Sequence, residues 1–140
     1  MNIFILSRNK NLYSTSRIAE AGHKRGHSIR VIDYMRCYMN ITSRKPTIFY
    51  GGESLGKADA VIPRIGASNT FYGTAVVKQF EMMQSFCINS SISIANSRDK
   101  LRSLQILAEA GINMPITGFA SHTKDIEGVI ESVGSIPLIM

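Results

Sequence analysis

Three polar stretches of the 140-residue sequence stand where a binding site is most easily built. They are Ser7-Arg8-Asn9, Cys37-Tyr38 with Asn40, and Arg64 with Ser68-Asn69-Thr70. Each follows an apolar run that reads as a core strand, and in an open α/β sheet ligands bind in the crevice beyond the carboxyl ends of the strands. An arginine placed there grips a carboxylate through two parallel hydrogen bonds. Arg64 is therefore the first candidate for anion binding, with Ser7, Arg8 and Asn69 as candidate substrate contacts. The bland alternative for Arg64 is a solvated surface arginine, or a brace that ties the third strand to a neighbouring loop.

A fourth stretch, Ser97-Arg98-Asp99-Lys100-Leu101-Arg102, is electrostatically odd. It opens an amphipathic helix expected over 98–109, so three cations crowd the positive end of a helix dipole, each costing about 0.3–1 kcal/mol. A phosphate near the helix start would reverse that penalty, whereas Asp99 and solvent screening would make it trivial.

Other chemistries find little support. No GxGxxG follows the first strand and no GxxxxGK[ST] occurs, which argues against a dinucleotide-binding Rossmann domain and a P-loop NTPase. Cys37 and Cys87 lie far apart without CxxC or Cys/His spacing, and no serine stands in GxSxG. Neither a metal site, a disulfide framework nor a nucleophile is indicated. His23, His27 and His122 read as helix-end and loop residues, and Met82-Met83 as core filler.

The elements that must position these groups follow from periodicity. Asn2–Leu6 is a short apolar run suited to a buried parallel strand. Residues 14–25 place Ile18, Ala19 and Gly22 on one helical face, with Gly26 just past the end. Ser28–Tyr34 is a second strand, which completes a βαβ unit with a right-handed crossover. Thr47–Tyr50, Gly51-Gly52 and Glu53–Leu55 predict a hairpin with a Gly-Gly turn. Ala60–Pro63 is the third core strand, its proline at the end where the missing N–H does little harm.

Thr70–Gln84 predicts a helix with Tyr72, Val76, Phe80 and Met83 aligned, and Thr70 as its cap. A short strand over 86–89 and a helical turn over 92–96 come next. After Ser97 the pattern changes: a helix over 98–109 with Leu101, Leu104 and Leu107 inward, a stop at Gly111, a strand over Ile116–Ala120, a helix over 124–133, and a strand beginning at Pro137. The chain ends inside that last apolar run, which points to an incomplete second domain, because an unpaired apolar strand invites aggregation.

With 44% apolar residues the chain can bury a core, so disorder is not expected. The balance of 16 basic against 10 acidic residues favours an anionic partner such as phosphate, nucleic acid or an acidic peptide. No dense Lys/Arg block or basic–aromatic alternation is present, so no direct nucleic-acid site is expected. The first apolar run is too short for a membrane span or signal peptide, and a reducing, cytoplasmic setting suits the two thiols.

Several stretches together resemble the RimK family of ATP-grasp ligases. They are Ile5-Leu6-Ser7-Arg8 with Leu12-Tyr13-Ser14, Cys37-Tyr38-Met39-Asn40-Ile41, Val61-Ile62-Pro63-Arg64-Ile65-Gly66, Phe71-Tyr72-Gly73-Thr74-Ala75, Gln79-Phe80-Glu81-Met82, and Ala95 through Arg98-Asp99-Lys100-Leu101-Arg102-Ser103. The match runs in order along nearly the whole chain, and Pro-Arg-Ile-Gly followed by Phe-Tyr-Gly is its most specific part.

The resemblance implies a doubly wound, mainly parallel α/β fold, the pre-ATP-grasp domain over 1–96, and the incomplete start of an ATP-grasp domain over 97–140. It implies an ATP- and magnesium-dependent ligase that adds glutamate to the C-terminus of a ribosomal protein through an acyl phosphate, and a homo-oligomer. Such chemistry needs charge neutralisation and positioning more than a protein nucleophile. In ATP-grasp enzymes the lysine of an Asp-Lys pair opening this helix approaches the nucleotide phosphates, and Lys100 stands there. A second nucleotide lysine and the acidic magnesium ligands are expected beyond Met140, and Asp125, Glu127 and Glu131 on their helix cannot replace them. On this reading the chain alone is inactive. A non-catalytic basic module that docks the ribosome, RNA or an acidic peptide is the alternative, and a receiver-like domain is disfavoured because no Asp cluster follows the first strand.

Overall fold

The computed structural model describes residues 1–134, which fall into two compact units, 1–100 and 101 onwards. The expected strand at 137–140 lies outside the described residues. In the first unit the chain runs β1 (Asn2–Leu6), α1 (Tyr13–Lys24), β2 (Ser28–Ile32), β3 (Cys37–Asn40), β4 (Thr47–Tyr50), β5 (Glu53–Ser54), β6 (Ala60–Pro63), α2 (Thr70–Met82), β7 (Phe86–Cys87) and α3 (Ser91–Arg98). Turns of 3-10 helix at Tyr34–Arg36 and Ala67–Asn69 lead into β3 and α2.

Four parallel strands form the main sheet in the order β2-β1-β6-β7. Its two faces follow from the pleat, because successive side chains of a strand point to opposite sides. Phe4 and Leu6 join the core cluster with Ile32, Val61, Val76 and Phe80, so that face carries α2, and the Phe4 and Phe80 rings meet edge to face at 5.9 Å. Ile5, equally buried, lies outside that cluster, in register with Val31, while Ile3 pairs with Ile29. Ile29 packs under Gly22 of α1, where an added Cβ would meet its Cδ1 at 2.5 Å. Helices therefore cover opposite faces, and the sheet is doubly wound.

Between β2 and β6 the chain builds a second sheet, β3-β4-β5, antiparallel throughout. The expected hairpin is its second half, with Gly51 (φ 62) and Gly52 (φ 88) both left-handed as a two-residue type I′ turn requires. The Gln79 amide donates to the carbonyls of Asn40 (2.8 Å) and Thr47 (3.3 Å), and the Tyr72 hydroxyl donates to the Cys37 carbonyl (2.5 Å). Two side chains of α2 thus tie the small sheet to the main core.

Several local expectations are corrected. Thr70 does not cap α2: it is already helical, and its hydroxyl donates to the Ala67 carbonyl at 2.9 Å. The helix stops at Met82 because Gln84 takes a left-handed conformation (φ 61), which closes the end through Ser85 N–H to the Phe80 carbonyl at 3.0 Å. The turn expected over 92–96 is a full helix, α3, whose Ser90 hydroxyl accepts from Ser93 N–H as an N-cap. Arg98 ends α3 instead of beginning the next helix, since Asp99 is extended (φ −91, ψ 102) and α4 (Lys100–Glu109) starts one residue later.

Of the second unit, α4 buries no residue. Leu101 and Leu107, expected inward, are 37% and 38% exposed, and Leu104 is half-buried. Gly111 (φ 70) ends α4 as expected. The strand expected over Ile116–Ala120 is not formed among the described residues, where this segment pairs with no other and so has no ladder. A 3-10 turn (Thr123–Asp125) leads into α5 (Ile126–Val133), which Gly134 (φ 98) closes.

Of the glycines in the first unit Gly73 is the most closely approached, since a Cβ there would run into the side chain of Ile65, with Cδ1 and Cγ1 at 3.1 and 3.2 Å as well. Gly73→Ala should therefore destabilise the protein by roughly 1–3 kcal/mol, the usual cost of overpacking, despite the better helix propensity of alanine. Urea unfolding checks this, and an unchanged midpoint would show that Ile65 yields freely.

Candidate functional site

The sheet changes winding direction between β1 and β6: the chain leaves β1 toward β2 on one side, and β6 toward β7 on the other. At the carboxyl ends of those strands lies an open cleft of about 440 Å³. Its walls are Leu12 and Thr15 at the start of α1, Pro63 to Gly66 after β6, Asn89 after β7, and Ile94, Ser97 and Arg98 on α3. This is the place where an open α/β sheet holds a ligand.

The 63–66 turn is fixed from several sides. Arg64 N–H donates to the Leu6 carbonyl at 2.8 Å, extending the β1–β6 ladder by one bond. Gly66 N–H donates to the hydroxyl of Tyr34, itself fully buried, at 3.2 Å. Arg98 Nη2 donates to the Ile65 carbonyl at 2.9 Å, and Arg64 Nη2 to Ser14 Oγ at 3.1 Å. The α1 wall is anchored in turn, because the buried Thr15 and Ser7 hydroxyls lie 3.1 Å apart and Ser7 also donates to the Asn9 carbonyl.

Among the described residues two arginines and no carboxylate line this cleft. Each spends one of its five N–H donors on the protein among the described residues, so both retain donors for a ligand. The arrangement is suited to an anion.

Of the sequence candidates, Arg64 lines the cleft. Its single bond to Ser14 is a brace, but the side chain remains exposed. Ser7 is drawn out of the cleft by its buried contacts with Thr15 and Asn9. Arg8 is exposed and does not line it. Asn69 also stands apart, its amide on Ser68 Oγ at 3.2 Å. Lys100 is exposed in the first turn of α4 and is not a cleft residue. Arg98 was overlooked as a binding residue, because sequence periodicity assigned it to the wrong helix. The expected crowding of three cations at one helix start is likewise corrected: Arg98 occupies the last turn of α3, where the dipole welcomes it, and only Lys100 and Arg102 open α4.

The chain aligns with the model of the RimK PreATP-grasp domain over residues 1–94 and with that of the RimK-like ATP-grasp domain over 97–140. The chain belongs to the RimK family. Relatives named "Probable alpha-L-glutamate ligase" include one from Vibrio parahaemolyticus, 62% identical, and one from Shewanella loihica, 60% identical; each alignment covers 100% of this chain and 46% of the relative. The chain thus spans about half the length of the curated RimK relatives it matches. Among solved structures, a RimK domain ATP-grasp protein from Sphaerobacter thermophilus superposes with a TM-score of 0.70 over 96% of this chain and 47% of its own, at 18% identity. The ATP-grasp ligase PsnB, in complex with a precursor peptide and AMPPNP, gives 0.68 over 95% and 51%, at 19% identity. These two show the fold.

In this RimK chain no three His, Cys, Asp or Glu side chains come together to hold a metal ion among the described residues. No helix among them is long and apolar enough to cross a membrane. The second unit has its own, more apolar cavity of about 840 Å³ between the 115–123 segment and α5, lined by Phe119, Ile126 and Val129 among others and by no charged side chain. Glu81 of the resemblance motif is structural: its carboxylate accepts from Ser91 N–H (2.6 Å) and Ser91 Oγ (2.8 Å), tying α2 to the start of α3.

Both thiols are poor nucleophiles. Burial, with a smaller contribution from Asp33, pushes Cys37 up to about 12; burial, then Glu81, pushes Cys87 up to about 11. A folded-state pKa raised above the ordinary 9.0 keeps the thiol protonated, so the stability this contributes is complete below about pH 9 and falls as pH rises toward 11 and 12. At pH 8 iodoacetamide should label both cysteines slowly in the native protein and rapidly in urea; fast native labelling of Cys37 would contradict its placement.

Proposed function

We propose that this chain is the N-terminal part of an ATP-dependent alpha-L-glutamate ligase that adds glutamate to the C-terminus of a ribosomal protein in the cytoplasm. The observation that carries the reading is the 62% identity to a relative named "Probable alpha-L-glutamate ligase", maintained across the whole chain and joined to an anion-suited cleft at the winding switch. We place the boundary between its pre-ATP-grasp and ATP-grasp parts near Ser97, with domains 1–96 and 97–140, and propose a homo-oligomer. The chain alone is proposed to be inactive.

In such a reaction ATP with magnesium supplies the phosphoryl group that activates a carboxylate. The described residues offer no cluster for the metal, so none of them is assigned to it. Lys100 fits the nucleotide as a point charge: it is exposed, it stands in the first turn of α4, and no acidic residue shares that turn. Its role is to hold a phosphate oxygen. Arg64, on a turn fixed to β1 and α2, binds a carboxylate of glutamate or of the acceptor's C-terminus. A rigid turn matters here, because orientation contributes to rate only when the reacting groups are held still. Ser7, Arg8 and Asn69 stay outside the cleft, so a contact from them to substrate is proposed only for the exposed Arg8 and the half-buried Asn69, and not for the buried Ser7.

Two kinetic outcomes test the reading in the full-length ligase. Lys100→Ala should raise KM for ATP by roughly tenfold, the scale of one charge-assisted hydrogen bond, with the fold intact by circular dichroism. Unchanged ATP dependence would remove Lys100 from the nucleotide site. Arg64→Lys should weaken use of a carboxylate substrate while sparing ATP, because lysine loses the planar fork; a sharp fall in thermal stability with normal substrate kinetics would instead make Arg64 a brace to Ser14.

A further inference from the structure

The cleft holds a second cation that the glutamate-ligase reading does not use. Arg98 lines the same cavity as Arg64, and its Nη2 rests on the Ile65 carbonyl, the residue next to Arg64. Two arginines from different walls of the cleft are therefore linked through the single turn at Ile65. The remaining lining is of two kinds. Leu12, Pro63, Ile65 and Ile94 are apolar, and Thr15, Asn89 and Ser97 are neutral and polar.

This composition selects among anions. A nucleotide would need a surface for its base, and no aromatic side chain among the described residues lines the cleft. A monocarboxylate would engage one arginine and leave the spare donors of the other, exposed, guanidinium to water. A small dicarboxylate gives each guanidinium its own anion, and its methylene groups face the apolar wall. The oxygens of Asn89 and Ser97 can accept from an ammonium group. No carboxylate among the described lining residues competes with either anion.

We propose that Arg64 and Arg98 together form a site for a free α-amino dicarboxylate, with Arg98 as a specificity-determining residue for the second carboxylate. Resting on the ligase reading, this names glutamate, and not the acceptor's C-terminus, as the occupant of the cleft. Arg98 has a second duty that any test must separate from binding, since its bond to Ile65 also steadies the turn that presents Arg64.

Arg98→Gln removes the charge while keeping an amide donor, and the melting temperature reports whether the turn at Ile65 is still held. In the full-length ligase it should raise KM for glutamate by roughly tenfold or more, leaving KM for ATP and for the acceptor peptide within about twofold and the melting temperature unchanged. Glutarate should compete with glutamate in the wild type, and butyrate should not. Should Arg98→Gln fail to fold, Arg98→Lys keeps charge and donor but loses the fork, and the same KM shift is expected. A rise in acceptor KM with glutamate KM untouched would assign the cleft to the acceptor and overturn the proposal, and so would normal kinetics for all substrates. If the wild type turns over no glutamate, the ligase reading itself fails, and calorimetric titration with glutamate then decides the site: binding that Arg98→Gln abolishes supports it, and no binding overturns it.

Discussion

Ile65 is the residue through which the fold and the cleft constrain each other. Its side chain is buried against the bare Cα of Gly73, its carbonyl takes the Arg98 guanidinium, and its neighbours on either side are bonded to Leu6 and Tyr34. A turn between a strand and a helix is ordinarily free to adjust, because it lies on the surface and its backbone can bond to water. Here the adjustment is taken away by contacts of different origin. The ladder fixes where the turn begins, the buried phenol fixes where it ends, and the helix behind it allows no space for recoil. A positioned arginine at Arg64 is the consequence of that rigidity more than of any property of its own side chain.

The small antiparallel sheet contributes to the same end by an indirect path. Tyr34, which receives Gly66 N–H, sits in the 3-10 turn that leads into β3. That region is held against α2 by the Tyr72 hydroxyl on Cys37 and by the Gln79 amide on Asn40 and Thr47. The neighbours Tyr72 and Gly73 thus act in concert: one anchors the sheet that carries Tyr34, and the other admits Ile65. Buried polar groups of this kind specify a single arrangement because leaving any one of them unpaired costs about 1–3 kcal/mol.

What the sequence revealed and what it hid divide along a physical line. The strands at Asn2, Ser28 and Ala60, the first helix and the Gly51-Gly52 hairpin were legible because period, length and φ requirements are local. The strand order was not, since it depends on which edges meet across sequence distances that periodicity does not encode. Gln84 was hidden for a different reason. Glycine or asparagine normally marks a left-handed helix stop, and a glutamine there carries no such signal. The exposed leucines of α4 show the limit of amphipathic reading: a stripe announces that a face wants cover, not which segment provides it. Arg64 was found from its place after a strand, whereas Ser7 was chosen by the same rule and lies buried, because position after a strand does not say which way a side chain turns.

The break at Asp99 changes the electrostatics of the whole 97–102 stretch. Read as one continuous helix, Arg98, Lys100 and Arg102 oppose the same dipole and call for a single anion to relieve them. One extended residue divides the cations between two helices with opposite needs. Arg98, at the C-terminal end of α3, sits where its charge is welcome without a ligand, and its guanidinium is free to serve the turn at Ile65. Lys100, two residues on, begins a new helix, where the dipole still favours a nearby anion. The same six residues therefore supply one cation to the cleft and another outside it. A site for a carboxylate and a contact for a phosphate can arise from adjacent sequence without competing for the same ligand.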